Sequence, residues 1–314
     1  MQQHTFWLDT NDHTRIYVNA WLPSADPKAL LMLCHGMAEH SERYARFAER
    51  LCAEGYGVYA HDQRGHGKTA AQGVAGHFAS ADGWSKVVGD LSNLAQAVSE
   101  RHPGKPLFLM GHSMGSFIVQ AWLMHHGASL QGAILCGSNY QPAKLYHVAR
   151  LVARFERLRQ GPEGRSALIE WLSFGRFNDG LGKTRTPFDW LSRDPQEVDK
   201  YIHDPLCGLR CTNQLWVDLL GGLVRISKPA NLAQIDPSLP MLIIGGECDP
   251  VSAGKRLKDL AHVLCGVGHQ ALRLKLYPGA RHELLNETNR DEVTRDVLDW
   301  LQQALERPRP PRAE

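Results

Sequence analysis

Short apolar runs alternate with longer amphipathic segments over the first 140 residues and again near the end of the chain. Apolar runs of strand length are typical of buried strands; they lie at 30–34, 57–60, 107–110, 131–136, 241–245 and 271–277, after two strand candidates at 5–9 and 15–22. Helical segments lie between them, one ending near 54 and others at 82–101, 117–124, 253–264 and 290–305. The alternation predicts an α/β fold whose mostly parallel central sheet has helices on both faces.

The alternation is interrupted between Tyr140 and Pro237, where the pattern is helical and irregular and rich in Trp, Phe, Arg and Gly. We therefore divide the chain into a core of residues 1–139 and 236–306 and a helical insertion at 140–235. The Arg- and Pro-rich tail at 307–314 is predicted to be disordered.

One turn carries the strongest chemical signal. The run at 107–110 ends in Gly-His-Ser-Met-Gly, residues 111–115, and a buried helix follows directly. A Gly-x-Ser-x-Gly sequence between strand and helix places the serine on a strained turn, with its hydroxyl clear of the sheet. Glycine is needed on both sides because a side chain there would clash with the tight backbone. The turn predicts that Ser113 is a nucleophile.

A serine hydroxyl needs a general base, and the base needs an acid that holds its tautomer. Asp249 and His282 each lie in a loop that follows a predicted strand. Their order after Ser113 is that of the α/β-hydrolase arrangement, and the carboxyl ends of parallel strands meet at one edge of the sheet. We therefore predict a triad of Ser113, Asp249 and His282, with Glu247 as the alternative carboxylate.

The tetrahedral intermediate of acyl transfer needs two backbone N–H donors, one from the residue after the nucleophile and one from a loop after an earlier strand. Met114 follows Ser113. The strand at 30–34 ends in His35-Gly36-Met37, which has the position and the glycine content for the second donor. We assign the predicted oxyanion hole to the N–H groups of Met37 and Met114.

These segments together resemble the monoacylglycerol lipase and lysophospholipase group of serine α/β hydrolases, in its bacterial form. The resemblance rests on HGMAEHSERY (35–44), GHSMG (111–115), the loops of Asp249 and His282, and two segments of the insertion, 186–194 and 204–209. It implies that the insertion folds as a cap over the serine, with an apolar acyl-chain tunnel beneath it. It also suggests that Glu39 and Arg43 lie near the polar head of the substrate, although a solvated helix start explains these two residues equally well.

The site predicts a serine ester hydrolase that cleaves a single-acyl lipid, a monoacylglycerol or a lysophospholipid, through an acyl-enzyme on Ser113. Such a mechanism requires no cofactor and no metal. A small-ester carboxylesterase and a peptidase are alternatives, because the fold does not fix the substrate. A binding protein that keeps the fold without the chemistry is disfavoured, because all three predicted triad residues are present.

Composition limits which binding partners and which cellular compartment we expect. The net charge of +2 is close to zero, which argues against a nucleic-acid partner. No apolar run has the length of a membrane span, and residues 1–12 lack the features of a secretory signal. We therefore expect a cytoplasmic protein, or one that lies peripherally on a membrane.

Seven cysteines, an odd number, favour reduced thiols over a disulfide framework. Four lie in apolar surroundings: Cys34, Cys52, Cys136 and Cys265. His203, Cys207 and Cys211 have the spacing of metal ligands on one helix face. Because no fourth ligand lies nearby in the sequence, packed core is the better interpretation.

Residues 144–160 of the insertion form a basic amphipathic pattern. Apolar residues recur at helical spacing: Leu145, Val148, Leu151, Val152, Phe155 and Leu158. Four arginines lie largely on other faces: Arg150, Arg154, Arg157 and Arg159. Such a helix is typical of contact with an anionic membrane surface or, alternatively, of packing on the core.

Overall fold

The computed structural model describes residues 1–252 and 254–307, so residues 308–314 of the predicted disordered tail lie outside the described residues. The strands are β1 (Gln2–Asp9), β2 (Arg15–Leu22), β3 (Ala29–Cys34), β4 (Tyr56–His61), β5 (Leu107–His112), β6 (Gly132–Cys136), β7 (Met241–Gly246) and β8 (Leu272–Tyr277). They form one sheet in the order β1-β2-β4-β3-β5-β6-β7-β8. β2 pairs antiparallel with β1 and β4, and all other neighbours are parallel.

Helices follow most of the strands. They are α1 (Ala45–Ala53), α2 (Gly83–Arg101), α3 (Met114–His126), α4 (Ala143–Gln160), α5 (Ala167–Ser173), α6 (Pro195–His203), α7 (Asn213–Ile226), α8 (Pro229–Leu232), α9 (Lys255–Gly266) and α10 (Arg290–Glu306). The predicted fold class, a mostly parallel sheet flanked by helices, is confirmed.

The inner strands β3 to β7 are buried on both faces, because successive residues point into two different apolar layers. Met32 and Leu109 belong to the layer that contains the apolar residues of α2, α3 and α7. Leu31 and Phe108 belong to the opposite layer, with the residues of α1 and α10. The central strand β5 is thereby held from both sides, which makes its carboxyl end a rigid platform for the serine turn.

The segment between β6 and β7 contains α4 to α8, and it has no strand in residues 137–240, all of which are described. We call residues 140–235 the intervening segment. Its helix α7 packs against both α3 and α4. This contact places the segment against the sheet-covering helix that begins at the serine turn.

The apolar stripe of α4 faces away from the core. Four of its side chains are 61 to 86% exposed: Val148, Leu151, Phe155 and Leu158. The helix instead buries Tyr146, Ala153 and Glu156. The interpretation that the stripe packs on the core is therefore wrong. None of the described helices is long and apolar enough to cross a bilayer.

Three of the four cysteines expected in apolar surroundings are buried: Cys34, Cys52 and Cys136. Cys265 is exposed instead. The buried face of α9 is formed by Leu257, Leu260, Ala261 and Leu264, and Cys265 lies off that face.

Candidate active site

Ser113 lies on a strained turn between β5 and α3. Its φ of 51° and ψ of −120° fall outside the regions that side-chain-bearing residues usually adopt. A Cβ at Gly111 would lie 2.5 Å from the carbonyl oxygen of Gly115, and a Cβ at Gly115 would collide with the carbonyl oxygen of Cys34. The two glycines are therefore required by close backbone approach on both sides of the serine.

Asp249 and His282 meet at the carboxyl edge of the sheet. Nδ1 of His282 lies 3.0 Å from Oδ1 of Asp249, and both side chains are almost completely buried. The same Asp249 oxygen accepts the N–H of Val251 at 2.9 Å. Glu247 is exposed. The structure thus brings Asp249, and not Glu247, to the histidine.

Ser113 and His282 line one cavity of about 790 Å³, together with Met37 and Met114. The loop that carries Met37 approaches the serine closely, because a Cβ on Gly36 would lie 3.2 Å from the Cβ of Ser113. Ser113, His282 and both predicted oxyanion residues therefore line the same space.

Glu39 holds this loop in place. Its Oε1 accepts the N–H of Gly36 at 2.6 Å and the hydroxyl of Tyr44 at 2.8 Å, and it lies 3.0 Å from Nδ1 of His112. Burial would raise the pKa of Glu39, but the hydrogen bond from His112 and the charge of Arg43 hold it well below its usual range. The carboxylate is therefore a fixed negative charge behind the loop that carries Met37.

Arg43 connects the two loops of the site. It donates to Glu39 at 2.8 Å and binds both oxygens of Glu283 at 2.6 and 2.7 Å. Glu39 and Glu283 line the cavity, whereas Arg43 is not among the lining residues. Sequence reasoning missed Glu283, although its position directly after His282 was a signal.

His112, next to the nucleophile, also belongs to this network. Its Nε2 lies 3.4 Å from the carbonyl oxygen of His282, and the two rings are 4.7 Å apart. Burial would lower the pKa of His112, but the hydrogen bond to Glu39 and its negative charge raise it instead. The ring thus lies between Glu39 and the backbone of the loop that carries His282.

The intervening segment supplies an apolar wall for the cavity. Its large apolar lining residues include Phe174, Trp190, Trp216, Leu219, Leu220 and Leu223. The Trp190 ring lies 5.2 Å from the ring of His282, and its carbonyl oxygen accepts the His282 N–H at 3.4 Å. An extended apolar group therefore fits beside the reacting residues.

A mostly parallel sheet with a strained serine after its central strand, and a histidine–aspartate pair after two later strands, defines an α/β hydrolase. A family model described as serine aminopeptidase, S33, matches residues 25–289. The monoacylglycerol lipase of Mycolicibacterium smegmatis is 30% identical over 91% of this chain and 92% of its own length.

Solved structures give the same result. A thermostable carboxyl esterase from Bacillus coagulans, in complex with glycerol, has a TM-score of 0.89 at 26% identity and covers 97% of this chain and 99% of its own. A monoglyceride lipase from Saccharomyces cerevisiae, with a substrate analog, shares the fold at a TM-score of 0.78 and 21% identity over 98% of this chain and 97% of its own. The chain belongs to the serine aminopeptidase S33 family and is a carboxylic ester hydrolase.

Proposed function

We propose that Ser113, His282 and Asp249 form a catalytic triad that cleaves the ester of a single-acyl lipid. The observation that carries the proposal is the buried contact of 3.0 Å between His282 and Asp249, with the strained Ser113 in the same cavity as His282. Asp249 holds the Nδ1–H tautomer, so that Nε2 is free to act as the base.

The reaction proceeds in two halves. His282 takes the proton of the Ser113 hydroxyl as its oxygen attacks the ester carbonyl, and the N–H groups of Met37 and Met114 stabilise the oxyanion. The alcohol leaves with the proton from His282. Water, deprotonated by His282, then attacks the acyl-enzyme and releases the fatty acid.

The apolar wall supports a lipid substrate. We propose that the intervening segment acts as a cap whose aromatic and leucine side chains hold the acyl chain. Glu39 and Glu283 line the polar end of the cavity, and we assign them to the head-group side. Arg43 acts through them, because it binds both carboxylates from behind the lining.

Among the single-acyl lipids, Arg256 favours a lysophospholipid. This residue lines the cavity and donates to the carbonyl oxygen of Val251 at 3.2 Å. No carboxylate of the described residues lies within 4.0 Å of its guanidinium. Another lining cation, Arg176, is neutralised by Asp179 at 2.8 Å. An unpaired guanidinium in the cavity suits a phosphate head group.

The outer face of α4 suits an anionic membrane surface. Its apolar stripe is exposed, and Trp171 and Leu172 of α5 are exposed as well. Arg154, Arg157 and Arg159 are exposed beside it. Apolar area flanked by arginines is the pattern that binds anionic lipid from one side. We therefore place the membrane from which substrate is drawn against this face.

A substrate panel tests the proposal. Wild type and Ser113→Ala are compared on monoacylglycerols of increasing chain length, lysophospholipids, p-nitrophenyl esters and aminoacyl amides, and both are labelled with a fluorophosphonate. We expect wild type to prefer the single-acyl lipids and Ser113→Ala to lose hydrolysis and labelling. A preference for short esters or for amides would contradict the lipid assignment. Labelling of Ser113→Ala would show that Ser113 is not the nucleophile.

A further inference from the structure

A cluster of metal-ligating side chains lies outside the proposed triad. Nε2 of His40, a carboxylate oxygen of Asp204 and Sγ of Cys207 all lie within 4.8 Å of one another, with His40 and Asp204 in contact at 2.8 Å. His203, Cys207 and Cys211 are interpreted above as packed core, but only Cys211 is buried and His203 is exposed. Among the described residues, only Cys207 of these three joins a cluster, and its partners are distant in sequence.

The cluster joins two parts of the chain beside the cavity. His40 lies three residues after Met37, whereas Asp204 and Cys207 lie in the turn after α6. The turn is seated on the core by the N–H of Gly208, which donates to the carbonyl oxygen of Ala38 at 2.9 Å. An ion bound here therefore connects the intervening segment to the loop that carries Met37.

The donor set selects the kind of ion. One imidazole nitrogen, one carboxylate oxygen and one sulfur are ligands that Zn²⁺ accepts together, whereas Mg²⁺ and Ca²⁺ prefer oxygen alone. Metal–ligand bonds of about 2.0–2.3 Å require ligand atoms about 3–4 Å apart, so side-chain movements of about 1 Å close the site. Asp204 and Cys207 are partly exposed, which leaves an entry path and room for a water as fourth ligand.

The surrounding charge also suits a divalent cation. The positive charge of Arg43 favours the ionised forms of both Asp204 and Cys207, but its guanidinium is already paired with Glu39 and Glu283. With Asp204, three carboxylates face this one guanidinium. Even when His112 is protonated, the balance remains negative.

We propose that His40, Asp204 and Cys207 form a site for Zn²⁺ or a similar borderline-soft divalent ion. Binding releases the thiol proton of Cys207 to solvent, and His40 binds the ion through a ring nitrogen that carries no proton. The bound ion holds the turn after α6 against the loop that carries Met37. The site is independent of the substrate that the cavity accepts.

Cobalt spectroscopy tests the site without an activity assay. Co²⁺ is titrated into wild type, Cys207→Ser, Asp204→Asn and the control Cys265→Ser, which removes an exposed cysteine elsewhere. We expect wild type and Cys265→Ser to show the sulfur-to-cobalt charge-transfer band and to lose it when Zn²⁺ is added. Cys207→Ser should lack the band, and Asp204→Asn should bind at least about tenfold more weakly.

A second measurement on wild type covers the case in which a variant does not fold. Iodoacetamide labelling is followed peptide by peptide, with and without Zn²⁺. We expect Zn²⁺ to protect Cys207 and to leave Cys265 and Cys248 reactive. A wild-type titration without a charge-transfer band, a band that persists in folded Cys207→Ser, or equal labelling of Cys207 with and without Zn²⁺ would overturn the proposal.

Discussion

The helices that follow the two neighbouring strands β5 and β6 differ in how much of their apolar surface is buried. α3, after β5, buries apolar residues on almost every side, among them Ile118, Val119 and Leu123. α4, after β6, buries Tyr146, Ala153 and Glu156 and exposes its apolar stripe. Both sequences are amply apolar, so hydrophobic content alone does not determine which residues are covered.

The difference separates two tasks. α3 is enclosed by the sheet, α2 and α7, and it begins at the proposed nucleophile, where a rigid surrounding fixes the position of Ser113. α4 packs chiefly on α7 and leaves its stripe to the solvent. We infer that the region around α3 carries the chemistry, whereas the region around α4 meets the lipid.

The largest expected effect tests whether ester hydrolysis depends on the region around α3 alone. Asp249→Asn should lower kcat/KM about ten-thousandfold on every ester, because the amide stabilises the wrong tautomer of His282. Glu247→Gln is the matched control, since Glu247 is exposed two residues away, and it should keep wild-type rates. Steady-state kinetics with a soluble p-nitrophenyl ester measures both. A large loss in Glu247→Gln, with Asp249→Asn active, would reverse the assignment.

A pair of leucines measures the same contrast as stability. Leu123 on α3 is 1% exposed, and Leu123→Ala should lower the free energy of unfolding by about 2–5 kcal/mol through lost burial and a cavity. Leu151 on α4 is 62% exposed, and Leu151→Ala should change the free energy of unfolding by less than about 0.5 kcal/mol. Urea unfolding monitored by circular dichroism measures both. Equal losses would show that the α4 stripe is covered in solution.

Acid should weaken the core region through buried histidines. Burial lowers the pKa of His61 to about 3 and that of His66 to about 4. Nδ1 of His66 lies 2.9 Å from the carbonyl oxygen of Arg64, and its Nε2 has no partner among the described residues. Both rings are therefore held neutral in the fold.

The unfolded chain binds these protons near pH 6.5, so the stabilisation is complete above that pH and is lost as the pH falls towards 4. His66 alone should account for about 3 kcal/mol at pH 4, although the raised pKa of His112 acts in the opposite direction. Urea midpoints across this range measure the slope. His66→Gln should flatten it, whereas His4→Gln, at an exposed histidine, should not; equal slopes in all three proteins would contradict the explanation.

Local patterns in the sequence were sufficient for the strands and for the serine turn. β2 begins and ends where its apolar run predicts, at Arg15 and Leu22, because a buried strand needs only a short continuous signal. β1 begins at Gln2, earlier than expected, because its outer residues are exposed and polar and give no such signal. The Ser113 turn was visible because its two glycines and its serine lie within five consecutive residues, 111–115.

The network behind the site was not visible in the same way. Arg43 and Glu283 are 240 residues apart, and His40 and Asp204 are 164 apart. Such pairs depend on how loops from different strands meet, and no local pattern encodes that. Which face of α4 is buried could not be predicted for a related reason. An amphipathic sequence shows that the helix has two faces, but the neighbouring elements decide which of them is covered.

The smallest expected effect concerns the face of α4. The double variant Leu151→Ser with Leu158→Ser should bind anionic vesicles about tenfold more weakly, because less apolar area enters the interface. Ile202→Ser is the matched control, since Ile202 is an exposed apolar residue on α6, and it should float as wild type does. Arg154→Gln with Arg157→Gln should weaken binding to anionic vesicles and have little effect with neutral ones. Flotation of wild type without enrichment on anionic vesicles would remove the membrane from this account and leave the stripe to another partner, while the Asp249→Asn result would stand, because the two regions act independently.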